Sequence, residues 1–222
     1  MGGSQSQAET GPRQLLAELD EALQRPTAEL TAVLSRTEIR RERAAHELRS
    51  GGRPDLLASL RMRESALCLL AERPEEAFQH AHEAFRLIGS RARPQVRALL
   101  LTQVAACHRA RGDLRGALRA ARTSEALLVS SSGEGLPQVV AVRAQLVQLL
   151  ELAGQDVTAA RRRLLRSYAA LADQPLSPEA DARYRLLGAV FVSGADPPHW
   201  ALAWLCRWRN LGARSLQVAE TA

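Results

Sequence analysis

Histidine, cysteine and serine are the residues of this chain that could make and break bonds, and the spacing of the histidines and cysteines argues against it. The chain has five histidines and three cysteines and contains no lysine. His80 and His82 stand two apart in a segment of helical pattern, which turns them roughly 200° from one another, so both cannot hold one ion from a single face. Cys107 and His108 are chain neighbours and diverge in the same way. Cys68, Cys107 and Cys206 show neither CxxC spacing nor an even count, and read as reduced packing residues. No GxxxxGK[ST], GxGxxG, GxSxG or HExxH motif occurs. The missing lysine also removes Schiff-base chemistry and the lysine that cradles phosphates in nucleotide-binding loops. The expectation is a non-enzyme with no catalytic residue, metal or cofactor.

The polar chemistry that remains is that of arginine. Thirty arginines face twenty-four acids, for a formal net charge of +6. Residues 1–83 hold eleven arginines and fourteen acids, a balance of −3, whereas residues 84–222 hold nineteen and ten, a balance of +9. Arg115, Arg119 and Arg122 recur at four-three spacing on one helical face. Arg161, Arg162, Arg163 and Arg166 form a second cluster, with no acid between Asp156 and Asp173. Such a patch suits solvent, an acidic protein surface, the acidic half of a second copy, or the phosphates of nucleic acid. Trp200, Trp204 and Trp208 hold all the tryptophan and stand four apart, a ridge that would cap a helical core or form a dimer seam. The exclusive use of arginine follows a GC-rich coding sequence.

The elements that must position these residues are helices. Apolar residues make up 46% of the chain but aromatics only 4%, and leucine and alanine far outnumber the residues that favour strands, which predicts an all-α protein. Prolines at 54, 74, 94, 137, 178 and 197 mark helix starts, and glycines at 51–52, 89, 112, 154, 194 and 212 mark stops. This punctuation predicts about ten helices, over 12–24, 27–49, 54–71, 74–88, 94–111, 114–130, 137–153, 156–173, 178–193 and 197–211, between flexible tails at 1–11 and 213–222. In the fifth segment Val96, Leu99, Leu100, Val104 and Cys107 form an apolar stripe with Gln103 off it. Val139, Val142, Leu146, Leu149 and Leu150 do the same in the seventh. No apolar run approaches the roughly 20 residues needed to cross a bilayer, and the first dozen residues lack the apolar stretch of a secretory signal. A cytoplasmic protein without a membrane partner is expected.

The segments also repeat. EEAFQHAHEAFRLIG places Ala77, Ala81 and Ala84 at spacings of four and three; LRGALRAARTSEALL places Ala117, Ala121 and Ser124 likewise, 40 residues on; Ala160, Leu164 and Ser167 follow 43 residues later. Small side chains at these places let helix axes approach closely. This pattern resembles the tetratricopeptide repeat family. Leu101, Val104, Ala105 and His108 occupy the Trp, Leu, Gly and Tyr places of its first helix. Gly112-Asp113-Leu114 forms the turn, and Ala117 and Ala121 take the Ala and Phe places of the second helix. The closing proline is absent, with Val129 near its place, and both intervals exceed the family's 34 residues, as in longer-repeat arrays of bacterial regulators. In the first copy Arg61 and Glu64 fall at apolar places, so its turn is expected to differ by a residue.

The resemblance implies a right-handed superhelical stack of antiparallel helix pairs. Residues 12–50 would form a leading pair, 54–173 the repeats and 177–212 a closing pair. It also implies that first helices line a groove holding a protein partner or peptide segment. Thr102, Ala106, Arg109, Ala144, Gln148 and Glu151 take the exposed places, with Arg109 as anion clamp. The expected role is a non-enzymatic interaction module, a bacterial regulatory or signalling adaptor. An arginine-rich nucleic-acid binder making largely sequence-independent phosphate contacts and a homo-oligomeric scaffold, such as a homodimer, are the alternatives.

Overall fold

The computed structural model describes residues 4–23, 27–88, 90–132 and 137–172, and among them every regular element is an α-helix. The eight helices are α1 (Ser4–Ala22), α2 (Thr27–Ser50), α3 (Pro54–Leu70), α4 (Pro74–Ile88), α5 (Pro94–Ala110), α6 (Leu114–Ser132), α7 (Pro137–Leu152) and α8 (Thr158–Ala172). Four of them open on proline, whose missing N–H is spare in a first turn. Two others are capped by aspartate. Asp113 accepts the Gly116 amide at 2.9 Å, and Asp156 accepts the Thr158 hydroxyl at 2.7 Å and the Thr158 amide at 2.9 Å; these bonds to the charged form help hold both carboxyls below the usual carboxylate range.

One C-terminal device closes α2, α3, α5 and α7. The amide two residues past the last turn reaches back five positions, Arg53 to Leu48, Arg73 to Cys68, Asp113 to His108 and Gln155 to Leu150, at 2.8–2.9 Å. The residue before each donor has a left-handed backbone: Gly52, Glu72, Gly112 and Gly154, with φ of 64°, 59°, 79° and 63°. The turn after α3 therefore matches the turn after α5 residue for residue, against the expected one-residue difference. Arg61 and Glu64 sit in the same register as Leu101 and Val104. They tolerate apolar places because they pair with each other and with neighbouring charges, as described below.

Each helix packs on the next along the chain, and α1 and α5 both also touch α3. The small side chains sit at the closest approaches: Ala77, Ala81, Ala84, Ala117, Ala121 and Ser124 are fully buried. The Thr102 and Ser124 hydroxyls lie 2.8 Å apart, and both reach the Ala98 carbonyl, at 3.0 and 2.8 Å. Only a helix without a bulky side chain at position 124 comes that near. Large leucines, Leu15, Leu19, Leu34, Leu57, Leu60, Leu67, Leu128, Leu146 and Leu149, fill the space between.

Two further expectations are corrected. α1 starts at Ser4, so residues 4–11, expected as tail, are helical, and Pro12 lies inside the helix. Gly11-Pro12 looks like a start signal, but the polar residues before it are themselves compatible with a helix. In α5 the buried face holds Leu100, Gln103, Val104 and Cys107, whereas Val96 is exposed and Leu99 half-buried. The face is rotated because α5 contacts α3, α4 and α6 together. The expected helices over 178–193 and 197–211, and with them the closing pair 177–212, Cys206, the tryptophan ridge and the 213–222 tail, lie outside the described residues.

The repeated turn generates a paired prediction. A Cβ at Gly112 would meet nothing within 4 Å, so Gly112→Ala costs only left-handed backbone strain, about 1 kcal/mol, while Glu72→Gly relieves the same strain and adds a similar amount. Urea denaturation of both variants checks the opposite signs.

Candidate functional site

Charges that the sequence places on an apolar face form one node between α2, α3 and α4. Glu64 is 1% exposed. Its Oε1 accepts Arg41 Nη1 at 2.8 Å and its Oε2 accepts Arg61 Nη1 at 2.8 Å. Arg41 spends its other donors on Thr37 Oγ1, 3.2 Å, and the Leu34 carbonyl, 2.9 Å. Arg61 Nε lies 2.7 Å from Glu83 Oε2, and Arg49 Nη2 donates to Glu83 Oε1 at 3.0 Å. The line Arg49–Glu83–Arg61–Glu64–Arg41 thus joins three helices. His80 Nδ1 stands 3.6 Å from Glu64, and burial pushes its pKa below the ordinary value, a stronger effect than the attraction of Glu64.

A second buried arginine repeats this device further along. Arg143 of α7 donates to Glu125 of α6 at 2.7 Å and to the Arg163 carbonyl of α8 at 3.0 Å, and also to the Ser167 hydroxyl. Between the two nodes, Gln103 donates to Ser65 Oγ at 2.7 Å, and Cys107 Sγ lies 3.4 Å from the same oxygen. All three are buried. Cys68 is buried too, and burial drives its thiol up to about 11. These bonding sets lie within the fold, with Arg61 Nε and Gln103 Oε1 left without a hydrogen-bond partner; none presents a nucleophile with an adjacent base at an open face. Among the described residues no group of three or more histidines, cysteines or acids could hold a metal.

The histidines point apart. His80 faces the Glu64 node, while His82 stacks on Phe78, ring centroids 5.8 Å apart. His108 meets the same ring edge-on at 4.9 Å and lies 2.9 Å from Asp113, and Arg111 covers Phe78 at 4.3 Å. This knot ties the turn after α5 to α4.

The expected groove residues divide. Thr102 and Arg109 are half-buried on α5 and Glu151 is exposed on α7, paired with Arg161 at 2.6 Å. Ala106, Ala144 and Gln148 are buried and line no surface. The physical reason is register. α5 and α7 begin 43 residues apart, at Pro94 and Pro137, so Thr102 corresponds to Gln145, and Gln145 Nε2 indeed reaches the Thr102 carbonyl at 3.4 Å. Placing Ala144 there turns α7 by about 100° and exchanges surface for core. The side chains that do reach solvent at equivalent places are Met62 and Leu69 of α3, Thr102 and Arg109 of α5, and Gln145 and Leu152 of α7. Aligning helix starts rather than small residues would have found them. Of the basic patch, Arg115, Arg119, Arg122, Arg162, Arg163 and Arg166 are exposed, and Arg161 is half-buried against Glu151.

The Glu64 node generates two predictions. Glu64→Gln leaves two buried guanidinium groups without their carboxylate and costs about 3 kcal/mol at neutral pH, read from urea unfolding. His80 binds its proton less readily folded than unfolded, facing Arg41 and Arg61 as well as Glu64 and Glu83. The unfolded chain therefore holds the extra proton just below 6.5. Stability is complete above that value and falls as the pH drops through it towards the depressed folded value; His80→Gln flattens this slope in melts taken across that range.

No family model and no curated protein matches this chain. Among solved structures, the crystal structure of BtubC (BKLC) from P. vanneervenii is similar over 91% of this chain and 92% of that chain, with a TM-score of 0.52 and 15% sequence identity. At that identity the likeness is one of all-α fold.

Proposed function

We propose that the chain is a non-enzymatic protein–protein interaction module, a right-handed stack of antiparallel helix pairs resembling tetratricopeptide proteins, which holds a partner segment along the face of its first helices. The observation that carries this reading is the alternation of contacts. Odd-numbered helices are tied to odd ones: Arg63 to Asp20 between α1 and α3, both bonds 2.8 Å, Gln103 to Ser65 between α3 and α5, and Gln145 to Thr102 between α5 and α7. Even helices are tied to even ones, Arg49 to Glu83 between α2 and α4, and Glu125 to Arg163 between α6 and α8 at 3.7 Å. Two layers offset along one axis produce such ties, and a solenoid is that arrangement.

In this reading the first-helix layer presents Met62, Leu69, Thr102, Arg109, Gln145 and Leu152, a mixed apolar and polar strip with one cation. Arg109 forms no ion pair among the described residues, which suits it to clamp a carboxylate or backbone carbonyl of a partner. The sealed positions of Cys68, Cys107 and Ser65 support a role without covalent chemistry. The regulatory, bacterial context follows from the long-repeat resemblance and the arginine usage.

The test uses the full chain, tagged, to capture proteins from its host, followed by titration calorimetry with the purified partner. Arg109→Glu with Leu152→Glu weakens binding about tenfold or more, whereas Arg43→Glu, on an exposed face of α2, leaves it unchanged. Hydrogen-exchange protection on binding falls on α3, α5 and α7. A partner indifferent to the double variant, protecting other helices, overturns the reading.

A further inference from the structure

The arginines from residue 40 to residue 73 have their acids. Arg40 pairs with Glu18, Arg41 with Glu64, Arg43 with Glu47, Arg49 with Glu83, Arg63 with Asp20 and Arg73 with Glu76. On α6 and α8 the pattern changes. Arg115, Arg119, Arg122, Arg162 and Arg166 are exposed and form no ion pair among the described residues. α8 contains no acid, and the single acid of α6, Glu125, is committed to Arg143. Asp113 and Asp156, which lie within the field of Arg119 and Arg162, are engaged by helix-start amides. Among the described residues no acid neutralises the positive charge of this face.

The face also has a pattern. Helix pairs step by 43 residues here, from Pro94 to Pro137, so Arg119 and Arg162 are equivalent positions on successive pairs, and Arg122 is equivalent to Leu165. Leu165 is 42% exposed among these arginines. Arg115 to Arg122 covers two turns, about 10 Å.

We infer that this face of α6 and α8 docks an acidic amphipathic helix of another protein, one carrying Glu or Asp at four-three spacing and an apolar side chain that covers Leu165. Four-three spacing on the partner sets its carboxylates opposite the guanidinium groups, which accept carboxylates in paired hydrogen bonds. The leucine distinguishes this occupant from nucleic acid. A phosphate surface offers nothing apolar to cover it. The site is independent of the first-helix strip, so a chain using both would bridge two partners.

The experiment measures fluorescence anisotropy with the full chain at low ionic strength. The probes are a labelled synthetic helix with Glu at four-three spacing and one Leu per turn, the same peptide with Gln for Leu, and a single-stranded DNA of matched charge. The Leu peptide binds saturably and more tightly than the DNA. Arg119→Glu with Arg122→Glu weakens it about tenfold or more, and Leu165→Gln weakens the Leu peptide about threefold while leaving the Gln peptide unchanged. Arg43→Glu alters neither, and circular dichroism shows all variants folded. The inference is overturned by absence of saturable peptide binding, by DNA binding more tightly than peptide and indifferent to Leu165→Gln, or by Arg43→Glu acting as strongly as the double variant.

Discussion

Close approach of helix backbones is the constraint on which the rest of this structure depends. It is set by six fully buried small residues, Ala77, Ala81, Ala84, Ala117, Ala121 and Ser124. With side chains of that size at four-three spacing, a second helix can lie low enough against a first that the Ser124 hydroxyl reaches the Ala98 carbonyl of α5. Leucines at these places would hold the axes apart and break the bonds that cross them. The constraint extends to helix length. Because α3 and α5 are each seventeen residues and close with the same backward hydrogen bond, their notched partners α4 and α6 arrive at the same register.

Close packing of small residues leaves little apolar area per helix to bury, and charged side chains complete the contacts. Burying an ion pair is not by itself stabilising, because two charges lose their water. Here the cost is offset by bonds to the buried carboxylate and to Arg41. Both Glu64 oxygens are taken by a guanidinium, and Arg41 uses its remaining donors on α2 itself. The result links three helices through one carboxylate, so a slip of α3 against α2 or α4 would strand charges. Arg143 does the same for α6, α7 and α8. Two such pins at opposite ends of the described helices make charge a means of fixing register.

Neutralisation inside the structure also decides what remains outside. From residue 40 to residue 73 arginine and acid are spent on each other. Outer positions of α6 and α8 carry arginines that form no ion pair among the described residues. The proposed partner sites follow from this division. The first-helix strip is mixed and weakly charged, suited to a few shape-dependent contacts; the face of α6 and α8 is electropositive, suited to attraction at a distance.

Composition and punctuation alone determined that the described residues are all-α, where the helices from residue 27 to residue 172 begin and end to within two residues, and that small residues recur at intervals of 40 and 43. These are local properties: proline and glycine act on their own backbone, and alanine and leucine favour a helix wherever they stand. Which face of each helix is buried was settled only by tertiary contacts. Gln103 reads as surface by its type but is buried, donating a hydrogen bond to Ser65 of another helix. Arg61 and Glu64 read as misplaced until Arg41, 20 residues earlier than Arg61, is brought beside them by packing. Gln145 and Leu152, rather than Ala144 and Gln148, face solvent, because one residue of register rotates a helix by about 100°. Register between helices is a property of the pair, and no single segment carries it.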